Sequence, residues 1–280
     1  MSNELYPYHT NQKNIGRGKV WYNMAMLTRR GKFPEKAERV VVDNHHLYYR
    51  MVGSGTPLVL IHGYGVSGQI WQRAVPYLAQ QHQVFIVDLP GYGHSTATGV
   101  WHLREMAPLL ATWLRQLQLP DAAVMGHSMG GAIAIHLAAH VPELISRLIL
   151  VNAAGIPLRA HLPSLAARSL HSFFQTGNGH LPLGLVRDML QPRLNLLWQT
   201  AQEMKRSDFR AELARINTPT LIIWGERDVM LPIALGYALK NTLPRADFVT
   251  LPHCGHRPML AQPAQFSRLV LEFLRSNDQM

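Results

Sequence analysis

The chain has 280 residues, 47% of them hydrophobic, and a formal net charge of +10. It is long and apolar enough to bury the core of one large α/β domain, and no apolar run approaches the roughly 18 residues that span a bilayer. The N-terminus lacks the apolar segment of an export signal, and the single cysteine, Cys254, excludes an internal disulfide, so we expect a cytoplasmic protein.

Residues 1–37 are predicted to form a basic N-terminal extension. The first 39 residues carry eight Lys or Arg and three Glu, so their net charge of +5 (eight minus three) is half of the total. Within 18–34, apolar side chains precede three basic residues, Arg29, Arg30 and Lys32. This pattern is typical of a weak peripheral contact with an anionic membrane, of packing onto the rest of the protein, or of a solvated leader. We expect no nucleic-acid partner.

Short apolar runs alternate with helical patterns along the rest of the chain. Strands are predicted at 39–43, 47–52, 58–61, 84–87, 122–125, 147–151, 220–224 and 247–251. Helices are predicted at 69–81, 103–118, 129–140, 231–240 and 263–275. This alternation favours a doubly wound, mostly parallel sheet with helices on both faces and an antiparallel hairpin at its start.

One connection is too long for a plain crossover between strands. From Gly155 to about Ile216 there is no strand-like run, and helical patterns occur near 163–174, 182–190 and 192–205. We therefore predict a helical cap at 156–214, inserted between two parts of one core domain, 38–155 and 215–280. Its surplus of apolar residues suggests a substrate pocket, for which the candidate residues are His62, Phe173, Phe174, Trp198 and Val229.

The glycines at 63–68 raise the possibility of a nucleotide site. The segment GYGVSG follows a predicted strand and satisfies G-x-G-x-x-G, and the next strand ends at Asp88. A strand, a glycine-rich turn and a later acidic residue are the outline of a dinucleotide-binding fingerprint.

A second motif indicates nucleophilic catalysis. Residues 126–130, GHSMG, match G-x-S-x-G between a predicted strand and a helix, which is the context of a nucleophile elbow centred on Ser128. A serine nucleophile needs a base and an acid that orients the base. Asp228 follows the seventh strand and His256 follows the eighth, with His253 as the second candidate for the base. Asn152, after the sixth strand, cannot serve as the acid.

Together these segments resemble the α/β-hydrolase family with a helical cap, over about residues 38–278. The resemblance rests on HGYG at 62–65, DLPGYGHS at 88–95, GHSMGG at 126–131, GERD at 225–228 and GHRP at 255–258. It implies an eight-stranded sheet with only the second strand antiparallel, and a cap after the sixth. It also implies a triad and an oxyanion hole, with Ser128 as nucleophile, Asp228 as acid, His256 as base, and the backbone N–H groups of Tyr64 and Met129 as oxyanion donors. In this interpretation the glycine loop at 63–68 approaches the carbonyl oxygen of a substrate rather than a pyrophosphate. Asp88 orders the turn that follows Asp88 in the chain.

The expected activity is hydrolysis of a carboxylic ester with an apolar acyl or aryl group, through an acyl-enzyme. A thioester or acyl-carrier ester, or a carbon–carbon bond, is the alternative substrate on the same triad, and a non-catalytic ligand-binding protein is the alternative class. We expect a small acyl substrate as the partner and no cofactor. The chain has no H-E-x-x-H and no cysteine cluster, so no metal site is predicted.

Overall fold

The fold is organised around one eight-stranded sheet. A computed structural model describes residues 34–96, 102–119, 121–157 and 194–276. Its strands are β1 Glu35–Val42, β2 His45–Val52, β3 Thr56–Ile61, β4 His82–Asp88, β5 Ala122–His127, β6 Ile145–Val151, β7 Thr220–Gly225 and β8 Ala246–Leu251. They lie in the order β1-β2-β4-β3-β5-β6-β7-β8. Only β2 is antiparallel to its neighbours, which confirms the predicted topology.

Helices cover both faces of the sheet. The described ones are α1 Val75–Leu78, α2 Leu103–Gln116, α3 Met129–His140, α4 Leu194–Arg206, α5 Arg210–Leu213, α6 Ile233–Thr242, α7 Pro258–Ala261 and α8 Pro263–Arg275, with 3-10 turns at Gly68–Trp71 and Pro142–Leu144. Because strand side chains alternate between faces, Val59 and Ile61 join the core beneath α2, α3 and α6. Leu58 and Leu60 join the opposite core, beneath α1 and α8. The central strands of the sheet are therefore buried on both sides.

The sheet begins with a tight hairpin. Asp43 and Asn44 join β1 to β2 with φ values of +47° and +65°, as a two-residue type I′ turn requires, and Asp and Asn tolerate that backbone better than most residues. β1 starts at Glu35, which pairs with Val52. The predicted boundary between extension and core at residues 37 and 38 therefore falls inside the first strand.

The continuous helix predicted over 69–81 is wrong. The structure has a 3-10 turn at Gly68–Trp71 and a separate single turn, α1. Pro76 lies near the start of α1, where its missing N–H costs nothing. In the middle of one continuous helix, its ring would clash with the carbonyl of Gln72 and one hydrogen bond would be lost.

Part of the predicted cap lies among the described residues. The helix predicted at 192–205 is observed as α4, and Glu203 of α4 accepts a hydrogen bond of 2.9 Å from the backbone N–H of Leu103, the first residue of α2. The cap helices predicted at 163–174 and 182–190, with Phe173 and Phe174, lie outside the described residues, as does most of the basic extension.

Within the described ranges, no helix combines the length and the apolar character needed to cross a membrane. The cytoplasmic location stays a prediction.

Candidate active site

Ser128 lies on the turn that leads from β5 into α3. Its φ of +52° and ψ of −115° are strained for a residue with a side chain. A Cβ on Gly126 would lie 2.3 Å from the carbonyl oxygen of Gly130, and a Cβ on Gly130 would lie 2.4 Å from the carbonyl oxygen of Ile61. Glycines are thus required on both sides of the serine, because the backbones of the turn, α3 and β3 pack in direct contact. This packing fixes Ser128 at the carboxyl end of β5.

Asp228 and His256 are brought together from the loops after β7 and β8. His256 Nδ1 lies 2.7 Å from Asp228 Oδ2, and both side chains are buried. The other carboxylate oxygen accepts hydrogen bonds from the backbone N–H groups of Met230 (2.7 Å) and Leu231 (3.0 Å). When Nδ1–H donates to the carboxylate, Nε2 carries the lone pair, and the imidazole can accept a proton there.

His253, the second candidate for the base, is not part of this arrangement. It is exposed, its φ is +62°, and its Nδ1 lies 2.8 Å from Arg227 Nη2. Of the two histidines in this loop, the structure therefore brings only His256 to Asp228.

The contact between Asn152 and Asp228 was not predicted. Asn152 is fully buried after β6, with a φ of +41° that Asn tolerates. Its Nδ2 donates a hydrogen bond of 2.6 Å to Asp228 Oδ2, and its Oδ1 accepts from the backbone N–H of Gly225 at 3.3 Å. The amide thus holds the same carboxylate oxygen that faces His256. The only signal in the sequence was the position of Asn152 directly after a strand.

His127 was also missed, although it belongs to the elbow motif. Its Nε2–H donates to the backbone carbonyl of His256 at 2.9 Å, and the two rings lie 4.9 Å apart. Complete burial, with the nearby His256 as a second cause, lowers the pKa of His127 well below its usual value, so the ring is neutral. Because Ser128 is the next residue, this one side chain ties the backbones of the serine and the histidine together.

The loop after β3 passes beside the serine, as expected for an oxyanion hole. A Cβ on Gly63 would lie 3.2 Å from the Cβ of Ser128, so the backbone of the loop approaches the serine closely. Tyr64 follows in this loop, and Met129 is the first residue of α3. The first N–H groups of a helix have no partner within the helix and carry the positive end of its dipole. The oxyanion role of the Tyr64 and Met129 N–H groups stays a prediction.

Asp88 is used for folding and not for a nucleotide. It is 3% exposed, and its two oxygens accept hydrogen bonds from the backbone N–H groups of Gly68 (2.8 Å) and His94 (2.9 Å). A carboxylate buried in this way does not reach a ribose, so the structure disfavours the dinucleotide interpretation. Asp88 orders the turn that follows it, as expected, and also the turn at Gly68, which was not expected.

The pocket candidates differ in their positions. His62 is fully buried, with Nδ1 2.8 Å from the carbonyl oxygen of Gly63 and Nε2 accepting from the N–H of Leu89 at 2.9 Å. These contacts join the loop after β3 to the segment after β4, and the place of His62 in a pocket stays a prediction. Val229 is half-buried beside Asp228. Trp198 is 59% exposed on α4.

Comparison with known proteins gives the class of this chain. A family model described as the alpha/beta hydrolase family matches residues 58–269. The chain is 31% identical over 248 residues to the pimeloyl-[acyl-carrier protein] methyl ester esterase of Nitrosomonas europaea, covering 79% of this chain and 96% of that protein. It is 29% identical over 257 residues to the enzyme of the same name from Pectobacterium atrosepticum, covering 82% and 99%. The chain belongs to the α/β hydrolase family.

A solved structure agrees with this assignment. A membrane phospholipase A, described as a bacterial virulence factor, is 27% identical, with a TM-score of 0.76 over 86% of each chain. The prediction of an enzyme that hydrolyses ester bonds is confirmed at the level of this class.

Proposed function

We propose that the chain cleaves carboxylic esters through Ser128 as nucleophile, His256 as general base and acid, and Asp228 as the acid that orients His256. The observation that carries this proposal is the strained backbone of Ser128, with φ of +52° between a buried strand and a helix N-terminus. Such strain persists only where the surrounding packing imposes it, and it is typical of an elbow that presents a nucleophile. The hydrogen-bonded pair of Asp228 and His256, 2.7 Å apart, supplies the base.

In the proposed mechanism, the Ser128 Oγ attacks the ester carbonyl while His256 Nε2 takes the hydroxyl proton. The oxygen of the tetrahedral intermediate accepts hydrogen bonds from the N–H groups of Tyr64 and Met129. As the intermediate collapses, His256 returns the proton to the leaving alcohol, and the acyl group stays on the serine. Water then attacks the acyl-enzyme with the same base, which releases the carboxylic acid and regenerates Ser128. Asp228 accepts the hydrogen bond from Nδ1–H and so keeps the imidazole in the tautomer with its proton on Nδ1.

A panel of p-nitrophenyl esters of increasing acyl length tests this proposal. The S128A variant should lose on the order of 10⁴-fold or more in kcat. Ser146→Ala is a suitable control, because that exposed hydroxyl donates to the carbonyl of Asp121 at the amino end of β5, opposite to the end that carries the elbow. No turnover of any ester by the parent protein would favour the non-catalytic alternative, and full activity of S128A would contradict the assigned nucleophile.

The substrate we favour within this class is an ester on an acyl carrier. Support comes from the names of the two esterase relatives and from charge. Three helices meet on one part of the surface. Glu203, near the end of α4, contacts the start of α2, and Arg104 of α2 contacts Glu212 of α5. The exposed cations in this part of the surface are Arg104, Arg206, Arg210 and Arg215. An acidic carrier that delivers its acyl chain to the site would find complementary charge there.

The carrier proposal is tested by giving the enzyme one acyl methyl ester in two forms, on an acidic carrier protein and as the free ester. Arg206→Ala should lower kcat/KM for the carrier-bound ester and leave the free ester unchanged. Arg115→Ala is the matched control, because Arg115 is also exposed but pairs with Glu143 at the other end of α2. Equal effects of the two variants would contradict the proposal. Preferential cleavage of a thioester or of a vinylogous diketone would instead favour the alternative chemistries on the same triad.

A further inference from the structure

The C-terminal part of α3 carries a group of potential metal ligands that the esterase mechanism does not use. His136 and His140 are one helical turn apart on α3, and Glu212 of α5 lies against them. One ring nitrogen from each histidine and one carboxylate oxygen all lie within 4.8 Å of one another. We refer to these three residues as the His–His–Glu cluster.

The cluster contains a buried polar atom that the fold does not satisfy. His136 is 9% exposed, and its Nδ1 has no hydrogen-bond partner among the described residues. The nearest carboxylate oxygen, Glu212 Oε1, is 3.9 Å away, which is too long for a hydrogen bond. Glu212 itself is only 5% exposed. Buried polar groups are nearly always paired, so the Nδ1 atom of His136 lacks a partner on the side that faces Glu212.

We propose that His136, His140 and Glu212 bind a divalent transition-metal ion, with Zn²⁺ as the best match to their chemistry. Two imidazoles and one carboxylate are a common set of zinc ligands, and histidines four residues apart on a helix share one face. Zinc bonds of about 2.0–2.1 Å in tetrahedral geometry need ligand atoms about 3.3 Å apart. The 3.9 Å gap closes to that value with a small rotation of the carboxylate, and exposed His140 has the freedom to follow.

The site lies away from the proposed ester chemistry, and water would complete the four-coordinate geometry beside the three protein ligands. His136 is eight residues beyond Ser128 on α3, a rise of about 12 Å along the helix axis. Glu212 lies on the segment by which the chain returns from the predicted cap, and this segment is held to the core by a hydrogen bond of 2.9 Å from Phe209 N to the carbonyl of Gly155. A bound ion would tie this segment to the helix that carries the nucleophile.

Arg104 competes with the ion for the carboxylate. Its guanidinium lies 3.4 Å from Glu212 Oε1 and over the ring of Phe209. The Arg104 side chain is 62% exposed, so it can move into solvent when a metal binds. Because this ion pair occupies the carboxylate oxygen that the metal would bind, loss of Arg104 should strengthen metal binding.

The test uses the full chain, freed of metal by a chelator and titrated with Zn²⁺, and with Co²⁺ as a spectroscopic probe. We expect one tight Zn²⁺ per chain, a higher Tm with the ion bound, and the visible bands of four-coordinate cobalt. His140→Gln should weaken binding at least about tenfold, since even the loss of an outer-shell partner costs that much. Arg104→Gln should strengthen it.

The control is His46→Gln, which removes another exposed histidine, on β2. Because His140 is exposed, His140→Gln should fold normally, with an unchanged circular dichroism spectrum and an unchanged Tm in the absence of metal. Failure to bind Zn²⁺, or binding that His140→Gln and Glu212→Gln leave unaltered, would overturn the proposal. Esterase activity is not the readout, so the result is independent of the proposed catalytic function.

Discussion

Asn152 provides a sharp test of how the proposed site is held together. Its amide donates a hydrogen bond of 2.6 Å to the Asp228 oxygen that also faces His256. A hydrogen bond to a charged group contributes about 1.5–3 kcal/mol. If that energy positions the carboxylate for His256, Asn152→Ala should lower kcat by roughly 10- to 150-fold and change KM little.

Asn152→Asp separates this positioning role from a general loss of stability. Ala is strained at a φ of +41°, whereas Asp tolerates this backbone almost as well as Asn. The carboxylate introduced at residue 152 would lie against Asp228, where the amide nitrogen of Asn152 is now 2.6 Å from Oδ2. Two carboxylates that close share one proton. While the proton is held, the introduced carboxyl group can still donate to Asp228, as the amide did. Activity of the variant should therefore fall as the pH rises and the proton is lost.

The assay is steady-state hydrolysis of a short p-nitrophenyl ester across a pH series, with Tm recorded for each variant. A kcat for Asn152→Ala within about threefold of the parent would refute the positioning role. The same pH profile for Asn152→Asp and the parent would refute it independently, since a purely structural effect does not depend on a titrating carboxylate pair.

Three further outcomes follow from the contacts. His127 is fully buried and its pKa is lowered, so below about pH 6.5 the unfolded chain binds more protons at this residue than the folded chain does. The contribution of the neutral His127 to the free energy of unfolding is therefore complete above that pH and is lost as the pH falls. In urea unfolding, His127→Gln should make that loss shallower by up to about 1.4 kcal/mol per pH unit. Tyr64→Phe removes the hydroxyl that donates to a backbone carbonyl of α4 at 3.0 Å, so the acyl-length profile should change. The rate on acetate esters should stay the same, because the backbone N–H proposed for the oxyanion hole remains. A lower rate on every ester would contradict this. Gly130→Ala places a carbon 2.4 Å from a β3 carbonyl oxygen, and a loss of stability below about 1 kcal/mol would show that the packing at the elbow is looser than described.

Much of the fold was predictable because local patterns and tertiary structure agree. The buried runs of β3 through β7 are apolar on both faces, as parallel strands between helices must be, and α3 and α8 have the predicted bounds. The break at Pro76 shows the limit of such patterns. Apolar spacing alone indicated one helix there, whereas the constraint that proline places on the preceding turn decided the structure.

The proposed site was predictable in part for a different reason. Ser128, Asp228 and His256 belong to motifs whose chemistry requires those residue types. Their supports, Asn152 and His127, act through single contacts between segments that are distant in the chain, and local sequence carries no record of such contacts. The His–His–Glu cluster is similar, because the histidine spacing is visible in the sequence but the contact with Glu212 is visible only in the fold.

The central claim is that Ser128 is the nucleophile, and covalent labelling tests it most directly. A fluorophosphonate that reacts with activated serines, followed by intact-mass measurement and peptide mapping, should give one adduct per chain, on the peptide that contains Ser128. Labelling should be absent in S128A and should abolish ester hydrolysis in step with the adduct. An adduct on another residue, or full activity after Ser128 is labelled, would contradict the account.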